Sequence, residues 1–410
     1  MTTADSGNMI VGLDIGTSKV VAIVGEVTTT GDVKVIGIGS HPSRGLKRGV
    51  VVNIDSTVHA IKRAIEEAEL MAGCQIHSVY VGIAGDHVKS HNSQGIVAIK
   101  DREVTKADVE RVIDTAQATA ITAGRKILHI LPQEYMIDAQ DGVKEPVGMF
   151  GVRLEAKVHL VTCAVNAAQN IENCVRRCGL EVDDLVLEQL ASSYAVLSED
   201  EKELGVCLVD IGGGTTDIAI FTRGAIRHID AIPAAGDHVT NDIAMALPTP
   251  TKNAEDLKIK YACAQIDIAG EDEMIRVPGV GDRASRELPR RELAQVVEPR
   301  YKELFMLVKH KIRCSGFEGL IPAGIVLTGG TSKMEGAVGL AEKVFGMPVR
   351  LGMPQVSQGI NDAVHNPIYS TAVGLLDYAV QTEKSVQHRL STAAGGSIIH
   401  RFRQWFQGNF

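Results

Sequence analysis

The feature that most constrains this chain is a repeated strand–turn–strand unit. Leu13-Asp14-Ile15-Gly16-Thr17-Ser18 and Val209-Asp210-Ile211-Gly212-Gly213-Gly214-Thr215-Thr216-Asp217 each sit between two β-rich runs, their leading aspartates 196 positions apart. Glycine lets a ligand approach the backbone at such a tip, successive N–H groups point into one concavity, and Ser or Thr hydroxyls add donors, so the tip suits phosphate. The leading carboxylate can hold a divalent cation or its waters, because hard cations prefer carboxylate oxygen. A single Asp-x-Gly hairpin is an ordinary turn. Two matched copies, one in each half of a 410-residue chain too long for one compact core, point to phosphate chemistry shared between domains.

A third segment, Ile325-Val326-Leu327-Thr328-Gly329-Gly330-Thr331-Ser332-Lys333-Met334, reads as a strand ending in Gly-Gly and opening a helix. Free amides and a flat glycine surface there fit the adenosine or α-phosphate side of a nucleotide, although a generic strand-to-helix turn has the same pattern. No G-x-x-x-x-G-K-[ST] loop and no G-x-G-x-x-G with a downstream acid is present, which excludes a P-loop and a dinucleotide fold. With 42 Lys+Arg against 50 Asp+Glu, the net charge of −8 argues against broad nucleic-acid binding. A chain 45% hydrophobic and 22% charged is neither disordered nor a coiled-coil rod. The seven cysteines are scattered without a C-x-x-C pair and are expected as buried thiols in a reducing compartment. Residues 1–8 have no signal-peptide pattern, and no stretch approaches the ~18 apolar residues that span a bilayer, so a cytosolic body is expected.

Apolar spacing predicts a helix over 58–72 and a strand over 79–83. From 86 to 165 the texture changes to a small α+β insertion. A helix over 104–118 is flanked by short strands at 127–131, 135–137 and 153–163, with Pro132 and Pro146 as separators. Helices are then predicted over 167–177, 189–198, 237–247, 253–264, 291–313, 334–344 and 369–380, and 269–289 reads as a Gly/Pro/charge-rich excursion. Residues 381–397 read as a flexible linker. Beyond them, Ile398, Ile399, Phe402, Trp405 and Phe406 form one apolar stripe of a short helix, with His400, Arg401 and Arg403 on the remainder and no acid. Such a stripe can mean core packing, but its basic, aromatic and terminal character favours a helix lying in a membrane interface. From Lys384 to Phe410 the charge is +4, leaving −12 on the rest, and four of the sixteen aromatics lie in the last nine residues.

The two hairpins and the Gly-Gly turn, in this order and spacing, resemble the two phosphate motifs and the adenosine motif of the actin/heat-shock-chaperone/sugar-kinase superfamily. Glu188-Gln189-Leu190-Ala191-Ser192-Ser193-Tyr194-Ala195 and Asn366-Pro367-Ile368-Tyr369-Ser370-Thr371-Ala372-Val373-Gly374-Leu375 resemble its two connecting helices. Within the superfamily, Pro42-Ser43-Arg44-Gly45-Leu46-Lys47-Arg48-Gly49-Val50-Val51, Pro132-Gln133-Glu134-Tyr135, Val158-His159-Leu160-Val161-Thr162 and Ser198-Glu199-Asp200-Glu201-Lys202-Glu203-Leu204-Gly205 resemble the FtsA family of bacterial cell-division proteins, nearly end to end.

That resemblance implies an actin-like two-lobed α/β fold of ribonuclease-H-like doubly wound domains, with ATP and Mg²⁺ in the cleft. It implies a first-lobe core of 1–85, 166–205 and 366–380, an inserted α+β subdomain of 86–165, a second-lobe core of 206–246 and 321–365, and a small second-lobe subdomain of 247–320. The linker of 381–397 and a membrane-targeting helix of 398–410, carried by Ile398, Ile399, Arg401, Phe402, Arg403, Trp405 and Phe406, complete the chain. By motif match, Gly16, Thr17, Ser18 and Lys19 would contact the β- and γ-phosphates together with Gly212, Gly213, Gly214 and Thr215. Gly329, Gly330 and Met334 would line the adenosine side. Glu255 and Lys258 are candidates for ribose and base, or else a solvated i,i+3 pair. Asp14 and Asp210 would hold Mg²⁺ through water, and Glu188 would orient the attacking water.

The implied role is an ATP-binding actin homologue, at most a slow ATPase, that polymerises on the cytoplasmic face of the inner membrane at the division site. It would anchor the tubulin-like FtsZ ring by docking the FtsZ C-terminal peptide on 247–320, with Arg300, Lys309 and Lys311 as basic candidates, and recruit later division proteins through 86–165. Anionic lipids and other copies of the chain are the remaining partners; nucleic acid is not expected. A sugar-type kinase would need a catalytic Asp beside a polyol pocket, which no segment clearly supplies. A chaperone would need a domain after 380, where thirty residues remain. A pilus- or rod-associated actin homologue is the other alternative, and rod-type relatives generally lack the 86–165 insertion.

Overall fold

A computed structural model describes residues 9–118, 122–270, 272–355 and 358–392. The repeat seen in the sequence is a repeat of architecture. In the first lobe, Met9–Ile15 lies mid-sheet, antiparallel to Lys19–Val27 and parallel to Ser78–Ile83; Val33–Pro42 and Glu181–Leu187 extend the two sides, and Gln358–Gly359 adds an edge. The second lobe repeats the plan. Val206–Ile211 pairs antiparallel with Thr216–Thr222 and parallel with Ile325–Thr328, with Ala225–Ile232 and Val349–Leu351 outermost. Helices cover both faces of these sheets, which is why Met9–Ile15 and Val206–Ile211 read as nearly unbroken apolar runs instead of alternating.

Between the lobes' first halves, the insertion is a separate four-stranded antiparallel sheet in the order Lys89–Ala98, Arg153–Ala164, Arg125–Ile137, Gln140–Val143. The helix Lys106–Gln117 packs on it, started by a reciprocal cap between Thr105 and Asp108. Pro132 does not separate two strands as expected. It lies inside Arg125–Ile137, where the register shifts and Gln133 bulges out of the ladder with Arg153–Ala164. A proline lacks the N–H of a ladder bond and is tolerated at such a bulge.

Two helices cross between the lobes and set the cleft. Glu188–Val196 leaves the first-lobe sheet, and Ser370–Thr392 packs against it so closely that a Cβ on Gly374 would lie 1.8 Å from the Ala191 carbonyl oxygen. The latter helix corrects the linker reading: residues 381–392 are helical. No glycine or proline interrupts the sequence between Leu375 and Gly395, so small polar composition alone does not end the helix. The 269–289 excursion likewise contains a hairpin, Met274–Val277 with Arg286–Pro289. The expected membrane-targeting helix of 398–410 lies outside the described residues. Among the described residues no helix is long and apolar enough to cross a membrane. Cys163, Cys174, Cys207 and Cys263 are buried thiols as expected, whereas Cys314 is exposed.

The crossing generates a prediction. Gly374→Ala forces a methyl group into the Ala191 backbone and should cost about 2 kcal/mol, within the usual range for overpacking. Urea unfolding measures this, and unchanged stability would contradict the close crossing.

Candidate nucleotide cleft

Both hairpin tips are closed by the same bond. Gly16 N–H donates to the Lys19 carbonyl and Gly212 N–H to the Thr215 carbonyl, each at 3.0 Å. The tips meet across the cleft: a Cβ on Gly213 would lie 1.9 Å from Ser18 Oγ, and one on Gly214 would lie 2.6 Å from Thr17 Oγ1. Only glycine fits between the lobes there. The third motif is packed onto the second hairpin. Thr331 Oγ1 donates to the Gly212 carbonyl at 2.7 Å, and Gly329, held at φ 83°, would with a Cβ place it 2.3 Å from Asp210 Oδ1. The strand does not open directly into a helix over 334–344. A 3-10 turn, Gly330–Lys333, comes first and Ala337–Phe345 follows, with Met334 half-buried against the second-lobe core.

Beneath the tips, four acids share one space. Burial raises Asp14 to about 7, opposed by Lys19 and reinforced by Asp210. Burial also raises Asp217 to about 7, with the Asp210 charge adding to it. Asp210 is raised by burial but restrained by the Ser192 and Thr371 hydroxyls. Glu188 is pushed well above the carboxylate range by burial and then by Asp14, Asp217 and Asp210. The cation among them is Lys19, lowered to about 8 by burial and held 5.0 Å above the Tyr369 ring. Among the described residues no group of three or more acids, histidines or cysteines could by itself hold a metal ion, so a divalent cation here would have to be held by one or two carboxylates and water, as magnesium usually is.

The connecting helices orient these acids. Ser192 Oγ donates to Asp210 Oδ2 at 2.8 Å and lies 3.0 Å from Thr371 Oγ1 of the other helix. Gln189 Nε2 donates to Asp217 Oδ1 and Thr215 Oγ1 to Asp217 Oδ2, each at 2.9 Å. Glu255 and Lys258 are not a solvated pair. They lie 2.7 Å apart, and the buried Lys258 ammonium also donates to Thr240 Oγ1 at 2.9 Å and to the Gly236 carbonyl at 3.2 Å, beside Gly212.

The structure thus brings Asp14, Glu188, Asp210, the two glycine tips and the Gly-Gly turn together, with Glu255 and Lys258 at one margin. Sequence reasoning left Asp217, Gln189, Ser192 and Thr371 without roles, and also Lys333, whose charge lowers Lys19, and Asp237, whose Oδ1 would lie 3.4 Å from a Cβ on Gly213. All but Asp237 lie inside the motif strings already quoted; helix-face periodicity is the signal that could have found Gln189, Ser192 and Thr371, and strand alternation the one for Asp217. Arg300, Lys309 and Lys311 are each engaged within the chain: Arg300 with Asp242 and Glu303, Lys309 with the Val344 carbonyl, and Lys311 with Asp230.

A pH prediction follows from Asp14. An unfolded aspartate loses its proton near 3.8, whereas the buried Asp14 keeps it to about 7. The stability this confers is complete below the lower value and lost as pH rises through the higher one. Asp14→Asn should therefore flatten the fall in Tm between about pH 4 and 7. An unaltered Tm profile would show that this carboxyl is not the titrating group.

Comparison with known proteins agrees with the geometry. The family profile described as "Cell division protein FtsA" matches residues 207–374, and "SHS2 domain inserted in FTSA" matches 85–162. The chain is 66% identical to the cell division protein FtsA of Pseudomonas aeruginosa and 49% identical to that of Escherichia coli K12, each over the whole of both chains. Among solved structures, the "PilM-PilN type IV pilus biogenesis complex" aligns with a TM-score of 0.67 at 18% identity, covering 90% of this chain and 98% of that one. MreB5 of Spiroplasma citri bound to ADP aligns at 0.58 and 14% identity, covering 93% and 99%. Those two distant likenesses carry the actin-like fold; the full-length identities carry the family. The chain belongs to the FtsA family of cell-division proteins.

Proposed function

We propose that the cleft binds ATP with magnesium and that the bound nucleotide controls assembly of a membrane-attached filament in cell division. The observation that carries this is the meeting of two glycine tips, one from each lobe, above a group of carboxyl groups short of positive charge. Gly16, Thr17, Ser18 and Lys19 would hold the β- and γ-phosphates with Gly212, Gly213, Gly214 and Thr215. Gly329, Gly330 and Met334 would line the adenosine side, and Glu255 and Lys258 the ribose and base. Asp14 and Asp210 would hold magnesium through water, and the ion would supply charge neutralisation for the phosphates. Glu188, whose proton affinity is raised by burial and by Asp14, Asp217 and Asp210, would orient the attacking water once positive charge enters the cleft. Hydrolysis would be slow and would serve assembly.

Because the tips come from different lobes, an anion bound between them favours the closed arrangement. Closed copies would stack into filaments on the cytoplasmic face of the inner membrane, fastened by 398–410 through Ile398, Ile399, Arg401, Phe402, Arg403, Trp405 and Phe406 to anionic lipid. Each tail would bind weakly, and stacking would make many weak contacts act together. The filament would anchor the FtsZ ring through the FtsZ C-terminal peptide on 247–320 and recruit later division proteins through 86–165. Two proteins that share the fold, MreB5 of Spiroplasma citri bound to ADP and MamK in a double helical filament, support nucleotide and filament. The pilus likeness is of fold alone at 18% identity, against 66% for a division protein.

Two measurements test the proposal. Gly213→Asp places a carboxylate at the phosphate tip and should abolish ATP retention; unchanged affinity would refute the tip assignment. In co-sedimentation with anionic liposomes, the full chain should pellet with lipid and a 1–395 truncation should not. Equal pelleting would sink the anchor.

A further inference from the structure

The segment 42–51 has no role in the reading above, yet it touches both phosphate tips. Leu46–Lys47 pairs antiparallel with Val50–Val51, Lys47 opposite Val50, which leaves Arg48 and Gly49 as a two-residue turn. Both have positive φ, 53° and 76°. Paired left-handed residues make the type I′ turn, whose first position favours Asn, Asp or Gly because other side chains crowd the backbone there. The same Arg-Gly pair, with φ of 54° and 74°, turns the chain at Arg223-Gly224 between Thr216–Thr222 and Ala225–Ile232, so the turn tolerates arginine and what sets Arg48 apart is its place beside the two tips.

The turn's neighbours define that place. Gly49 N–H donates to Thr17 Oγ1 at 3.3 Å, and Ser43 N–H donates to the Ser18 carbonyl at 2.9 Å. A Cβ on Gly214 of the second lobe would lie 3.1 Å from the Arg48 nitrogen, and a Cβ on Gly85 would lie 3.1 Å from the Arg48 carbonyl oxygen. The backbone of Arg48 therefore stands where the two tips meet, on the solvent side of the acids. Its side chain is exposed and makes no ion pair or hydrogen bond among the described residues. Of the cations nearby, Lys19 lies over Tyr369 and beside Asp14, and Lys258 is bonded to Glu255 and Thr240.

We infer that Arg48 is a further phosphate-binding residue, which reads the outermost phosphate of a nucleoside triphosphate held between the tips. The inference rests on the nucleotide reading of the cleft. A guanidinium presents a planar fork of donors that matches phosphate oxygens in pairs and stays charged at any working pH. Placed beside the tips, it meets the terminal phosphate together with them and leaves the β-phosphate to the tips alone. It distinguishes triphosphate from diphosphate, and because Gly214 belongs to the other lobe, it does so at the point where the lobes touch.

The test measures Kd for ATP and for ADP, each with magnesium, on the full chain and three variants. Arg48→Asn removes the cation but suits the left-handed turn, so Tm should be unchanged or higher. It should weaken ATP binding by about tenfold or more and ADP binding by less than about twofold, the loss expected for one charge-assisted contact. Arg48→Lys should restore part of the ATP affinity. An Arg48→Asn protein that binds ATP as tightly as the parent, or that loses ATP and ADP equally, overturns the assignment. Gly213→Asp serves as the separate control. If it too retains ATP, the nucleotide reading itself fails, whereas loss of ATP there with no effect of Arg48→Asn refutes Arg48 alone.

Discussion

Two glycine tips in van der Waals contact across a cleft, with acids beneath them, are the constraint on which the rest of this structure depends. No side chain fits between Gly213 and Ser18 or between Gly214 and Thr17, so each tip must be glycine-rich or small. Peptide N–H groups are the donors such a surface has to offer, and they suit an anion. Burial and mutual repulsion raise the proton affinity of the acids below. In the proposed reading, a cation accompanying the anion would offset that repulsion.

The other end of the molecule supplies what the tips close against. One apolar core runs from the first-lobe sheet through Leu128 and Val161 of the insertion to Leu208, Phe221 and Ile226 of the second lobe. Gln133, displaced from its ladder by the bulge at Pro132, donates to the Ile226 carbonyl at 2.8 Å and so ties the insertion to the second lobe. The hairpin bearing Arg48 also packs against Ala84 and Gly85, where the chain leaves the first-lobe sheet for the insertion. The insertion thus adjoins the lobes both near the tips and far from them, and any change of lobe angle must be taken up through contacts that it makes.

Much of the fold was legible because the signals are local. The two Asp-x-Gly hairpins, the Gly-Gly turn and the apolar helix periods each occupy a few consecutive residues, and backbone geometry makes such patterns nearly self-sufficient. Misreadings arose where composition stood in for geometry. Pro132 looked like a boundary and is a bulge, residues 381–392 looked like a linker and continue a helix, and Glu255 with Lys258 could be read as a solvated pair when Lys258 is buried.

By itself, the sequence determined the repeat, the position of each phosphate tip and the family, since these rest on residue type at fixed spacing. Only the tertiary structure decided which acids are buried within reach of one another's charge and what holds them. Ser192 meets Thr371 from 179 positions away, Gln189 reaches Asp217 from another lobe, and Arg48 comes to stand over Gly214. Those contacts depend on two helices crossing at Gly374 and on two sheets facing each other. Proton affinity follows from burial and neighbouring charge, neither of which exists until the chain has packed.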